Sequence, residues 1–143
     1  MALKAVITKD IMCKTGRDLL PEDIVEYLLE FRNINCWNVV NKKLSEYTWA
    51  EWLVCLKEKL LLEQCLPLVS EKLDKDPLAP GLFSKGELLY DVTQIDNDFW
   101  MEHQEWFEYF RAIVQTILDM IENNTDSIEI NHMYVEAYRS FLK

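Results

Sequence analysis

The chain has 143 residues, of which 50% are apolar and 12% aromatic, and a formal net charge of −10 at pH 7. So much apolar surface excludes a disordered chain and fits one folded domain. Three glycines and four prolines are too few for a sandwich or barrel built from many tight turns.

Residues 1–20 are weakly patterned and read as an irregular arm, with Ala5 to Thr8 open to a short strand and a turn at Gly16 and Asp18. A helix is expected from Leu20-Pro21-Glu22-Asp23. Proline is tolerated in a first turn, and the two acids suit the positive end of the helix dipole. Ile24, Val25, Leu28 and Phe31 recur at helical spacing, and Asn33 is expected to end the run. Cys36 to Leu44 reads as a second helix with Trp37, Val40 and Leu44 on one face. Thr48 and Glu51 have the spacing of a capping box for a third, whose stripe is Trp49, Trp52, Leu53, Leu56 and Leu60. The run Leu60-Leu61-Leu62 is apolar all round, which predicts a central helix that Pro67 breaks or kinks.

Asp76-Pro77 and Pro80-Gly81 mark a connector. Ser84 and Glu87 then read as a second capping box leading into Leu88, Leu89 and Val92. Asp96 or Asn97 caps the longest predicted helix, Asp98 to Glu122, with a seam of Phe99, His103, Trp106, Phe107, Phe110, Val114, Ile117, Leu118 and Ile121. Asn123-Asn124-Thr125-Asp126 stops it. A last helix from Glu129 to Leu142 turns Ile130, Tyr134, Ala137, Tyr138 and Phe141 inward. The expected fold is all-α: a single compact domain over residues 1–143, of about six helices packed around the Trp49 and Phe99 helices.

Reactive chemistry is sparse. The sequence holds no G-x-S-x-G, no glycine-rich phosphate loop and no H-E-x-x-H. His103 falls on an apolar seam and reads as a hydrogen-bonded core residue. His132 and Glu136 are four apart, but two ligands make a weak metal site and a solvated helix face is the better reading. Asp96, Asp98 and Glu102 fit dipole compensation better than cation binding. No enzyme activity, cofactor or metal is therefore expected. Cys13, Cys36, Cys55 and Cys65 form no C-x-x-C and read as buried, reduced thiols. No signal peptide and no membrane span is recognisable, so a cytoplasmic location is expected.

Charge points to the partner. Residues 1–72 carry a net −1 and residues 73–143 a net −9. From Gly86 to Phe110 there are seven carboxylates and no lysine or arginine. Nucleic acid is a poor ligand for such a surface, because binding phosphates needs cations that release counterions. A basic protein is a good one. The candidate contact residues are Glu87, Asp91, Asp96, Asp98, Glu102 and Glu105, together with Trp100. Phe99 takes the inward position in this reading, which leaves Trp100 half exposed among acids, as a hot spot would be.

The segment KDPLAPGLFSKGELL, residues 75–89, followed by Phe99-Trp100, resembles the immunity proteins of bacterial contact-dependent growth inhibition systems. The resemblance covers residues 75–110. It implies a cytoplasmic protein that binds and neutralises a cognate toxin domain, commonly a nuclease with a basic cleft, at an interface that varies between pairs. The motif has a scaffold explanation of its own. Pro77 and Pro80 stiffen the connector, Gly81 and Gly86 permit special backbone geometry, and Leu88 and Leu89 anchor it. Two other readings stand beside this one: an acidic helical adaptor that grips a partner's amphipathic helix, and a nucleic-acid mimic that blocks a DNA-binding enzyme. Oligomeric state is left open by the sequence.

Overall fold

A computed structural model of the protein describes residues 9–123 and 130–143. The expected Ala5–Thr8 arm, part of the stop at residues 123–126 and the expected helix start at Glu129 lie outside them. The described residues form ten α-helices, one short 3-10 turn and no strand, so the fold is all-α, with more and shorter helices than the expected six. The described residues divide into two compact units, one ending at Leu66 and one beginning at Pro67.

In the first unit, residues 9–19 form two single-turn helices, α1 (Lys9–Met12) and α2 (Gly16–Leu19), where an irregular arm was expected. Thr15 and Asp18 make the reciprocal capping box that organises α2. Helix α3 (Glu22–Glu30) starts at Pro21 as the sequence indicates, with Glu22 and Asp23 in its first turn. Asn33 is a starter and not a terminator: its side chain accepts from the Asn35 amide at 2.8 Å and caps α4 (Ile34–Asn41). Helix α4 buries Cys36, Val39 and Val40, leaving Trp37 exposed.

The Thr48–Glu51 capping box does form, at the head of α5 (Trp49–Lys57). Glu51 is 2% exposed and is bound by Thr48 N at 3.1 Å, Thr48 Oγ1 at 2.5 Å and Lys42 Nζ at 2.9 Å. Burial pushes the Glu51 carboxyl up, but the bonds from Thr48 and Lys42 together outweigh it and hold the group below its ordinary value. A lowered folded-state value means that this stabilisation is complete above the ordinary carboxylate range and is lost as pH falls through Glu51's own value. Replacing Lys42→Met is therefore expected to cost about 1–3 kcal/mol at pH 7, discounted because Lys42 is partly solvated. The gap to wild type should close as chemical denaturation is repeated at pH values below that range. A gap independent of pH would contradict the assignment.

The break between the third and fourth predicted helical segments comes earlier than Pro67. Helix α5 ends at Lys57, and Lys59 and Leu61 take left-handed backbone conformations (φ 59° and 50°), so Leu60-Leu61-Leu62 is a joint and not the middle of a helix. Restarting as α6 (Leu62–Lys75) leaves Pro67 inside the new helix, where it removes one backbone donor.

In the second unit, α7 (Glu87–Thr93), α8 (Asn97–Glu102), α9 (Gln104–Asn123) and α10 (His132–Phe141) follow the connector. Helix α10 packs on α7 and α9. The connector is held by its own backbone and by α10. Asp76 Oδ1 accepts from Leu78 N at 3.0 Å, and Gly86 N donates to Leu78 O at 3.0 Å. Tyr138 donates its hydroxyl to Gly86 O at 2.6 Å, and Ser84 Oγ pairs with the Tyr134 hydroxyl at 2.6 Å. Gly86 sits at φ 84°, where a side chain would be strained. Gly81 has no such conformation; it leaves room for the Glu87 side chain, which a Cβ there would meet at 3.1 Å.

Three of the four cysteines, Cys36, Cys55 and Cys65, are buried, while Cys13 is exposed, and all four are free thiols. Burial pushes the Cys55 thiol up to about 12, which makes it inert near neutral pH.

Candidate functional site

The acidic stretch after Gly86 divides into a buried part and an exposed part. Glu87 is 3% exposed, and its Oε1 accepts from the Phe83 and Ser84 amides at 2.8 and 3.0 Å. The backward reach of the predicted capping box is present, but Gly86 is the N-cap and the Ser84 hydroxyl goes to Tyr134. Glu87 is thus a clamp on the connector. Asp91 is buried as well, one helical turn further along α7. Both are corrections to the expectation of a continuous surface strip.

Trp100 is the third correction. It is 4% exposed and stands among Phe99, Phe107, Phe110 and Phe141, with ring centroids 5.4 to 5.8 Å away. The expectation that Phe99 points inward assumed one helix from Asp98 to Glu122. The chain instead breaks at His103 (φ −132°, ψ 54°). That break resets the register between α8 and α9, so Trp100 turns inward and Phe99 is only half-buried. His103 caps α8 with its ring stacked on Phe99 at 4.0 Å and its Nδ1 donating to Phe99 O at 2.9 Å. It is a hydrogen-bonded packing residue, as its place on the seam implied, though half-buried.

What stays on the surface is Asp96, Asp98, Glu102, Glu105 and Glu108. Asp96 is the N-cap of α8, Asp98 lies in its first turn and Glu102 ends it, while Glu105 opens α9. Beside them a groove of about 320 Å³ is lined by Asn97, Trp100, Met101, Gln104, Phe107 and Glu108. Of the exposed carboxylates, Glu108 lines this partly apolar groove, and the stretch as a whole holds no lysine or arginine.

Among the described residues, no group of three His, Cys, Asp or Glu side chains is placed to hold a metal ion. His132 and Glu136 do meet, at 3.6 Å, on an exposed face of α10 where Arg139 also reaches Glu136 at 3.2 Å. No helix among them is long and apolar enough to cross a membrane.

Four large apolar side chains are exposed in the first unit. Tyr27, Phe31, Ile34 and Trp37 are 45–68% exposed on α3, α4 and the turn between them. Phe31 and Trp37 were both expected to point inward. A signal was present: Cys36, Val39 and Val40 supply a complete inward face for α4 without Trp37.

The geometry defines an all-helical protein whose candidate site is a charged face and not a cleft lined by reactive groups. The chain belongs to the CDI immunity proteins, those of contact-dependent growth inhibition, whose family model matches residues 26–109. Its role is accordingly immunity against a CDI toxin, which it binds as its partner. No curated protein and no solved structure matches the chain.

Proposed function

We propose that this immunity protein neutralises a basic, nuclease-type toxin domain in the cytoplasm by binding it, without catalysing a reaction and without nucleic acid, membrane or cofactor. The observation that carries the reading is the exposed set Asp96, Asp98, Glu102 and Glu105 in a stretch of 25 residues that has no cation. Carboxylates presented this way can occupy positions where a basic cleft would hold substrate phosphates, and they speed encounter with a cationic partner.

The test is titration calorimetry of the purified protein with the toxin domain encoded beside it, over a range of salt. Affinity should weaken steadily as salt rises past about 0.1 M, where the Debye length is about 10 Å. Binding that is indifferent to salt would favour the adaptor reading, in which an apolar groove takes a partner helix. A folded protein that neither binds nor blocks the toxin would overturn the proposal.

A further inference from the structure

The connector turns one large apolar side chain outward. Phe83 is 85% exposed, more than any other large apolar residue among those described. A single ring in water needs no explanation on a loose loop. This loop is not loose. It runs between Ala79 and Gly86, both buried. The Phe83 and Ser84 amides donate to Glu87 Oε1 at 2.8 and 3.0 Å. The Ser84 hydroxyl pairs with that of Tyr134, and the Tyr138 hydroxyl donates to Gly86 O, each at 2.6 Å. Gly86 N closes the loop onto Leu78 O at 3.0 Å. Five hydrogen bonds to four residues therefore fix the backbone around Phe83, and loss of any one of the four leaves the others in place.

The entropy of ordering this loop is already spent in folding, so binding through the ring has little left to immobilise. A rigidly held aromatic side chain, with two rotatable angles, is the kind of anchor that interfaces use. The charge beside it limits the occupant. Lys85 is the only lysine or arginine between Asp76 and Phe110, and it is exposed two residues from Phe83. A cation there opposes a basic cleft, so the ring suits an apolar surface and not the cationic one that the acidic strip suits.

We propose that Phe83 is an anchor that inserts into an apolar recess of the toxin domain, lined by aliphatic or aromatic side chains and lying outside any basic cleft. This rests on the chain's binding a toxin, and not on that toxin being basic or a nuclease. The division of labour is physical: the acidic strip steers the encounter, and the ring slows dissociation.

The test measures association and dissociation rates of the full chain carrying Phe83→Ala with the purified toxin domain encoded beside it, at several salt concentrations. The side chain is in water, so helicity and the urea midpoint should match wild type. The dissociation constant should rise about 30-fold, the effect of losing one buried phenylalanine side chain. The rise should lie in the dissociation rate, with the salt dependence of affinity unchanged. Phe83→Leu, which stays apolar, should recover most of the loss, and Phe83→Asp should bind more weakly than Phe83→Ala. Lys85→Ala should bind as wild type does. A dissociation constant for Phe83→Ala within about threefold of wild type overturns the anchor and leaves the toxin reading intact. An equal loss in Lys85→Ala makes the contact a charged one and overturns it as well. Wild-type protein that sediments as a dimer, with Phe83→Ala a monomer, would assign the ring to a second copy of the chain. Absence of wild-type binding removes the toxin reading and the anchor together.

Discussion

The triple replacement Asp96→Lys, Asp98→Lys and Glu102→Lys is expected to abolish toxin neutralisation while the protein stays folded. All three side chains are exposed, so the change reverses a surface charge without opening the core. Like charges brought face to face cost several kcal/mol, and loss of steering slows association as well. The folding cost is smaller. Asp96 and Asp98 stand at the start of α8, where a cation opposes the helix dipole by about 0.3–1 kcal/mol each, whereas Glu102 ends that helix and carries no such penalty. The control is the same reversal at Glu71, Asp119 and Glu122, three exposed acids elsewhere in the second unit. Net charge then changes equally in both proteins. If both lose neutralisation equally, overall charge and not this face is responsible. If the first remains fully active, the contact lies elsewhere.

Glu87→Lys should give the opposite phenotype although it is the same exchange in the same acidic stretch. Its carboxylate is buried and accepts two backbone amides of the connector, so lysine would orphan those donors and bury an unmatched cation. A loss of about 3 kcal/mol or more is expected, as for breaking a buried charged contact. Glu87→Ala should cost about 1–3 kcal/mol, the range for leaving buried donors unsatisfied. Both would be read as a lowered midpoint in urea. Whatever Glu87→Ala molecules remain folded should bind toxin with unchanged affinity. A stable Glu87→Lys protein with impaired binding would return Glu87 to the contact surface.

These two experiments differ because of where tertiary packing put each carboxylate. Residue type and spacing alone determined the helical class, the cap of α5 by Thr48 and Glu51, the start of α3 after Pro21, and the scaffold role of the connector around Gly86. They also located the acidic stretch, while the family was suggested by the resemblance of residues 75–110 to known immunity proteins. All of these are properties of the chain read within a few residues: a capping hydroxyl, a proline's fixed φ, a left-handed glycine, a run without cations.

Only the tertiary structure decided which acids are available and which aromatics are inside. Glu87 and Asp91 look like Asp98 and Glu102 in sequence. They are buried because α7 is enclosed, with α10 packed on it and the connector folded over its first turn. Trp100 displaced Phe99 from the core because the chain breaks at His103, and a break of one residue resets every later position on a 3.6-residue period. Trp37 stayed outside because smaller residues, Cys36, Val39 and Val40, already satisfy the inward face of α4. A periodic pattern shows that one face is apolar. Which of two adjacent apolar side chains is buried depends on the helix axis and its neighbours, and those are set by contacts between segments far apart in the chain.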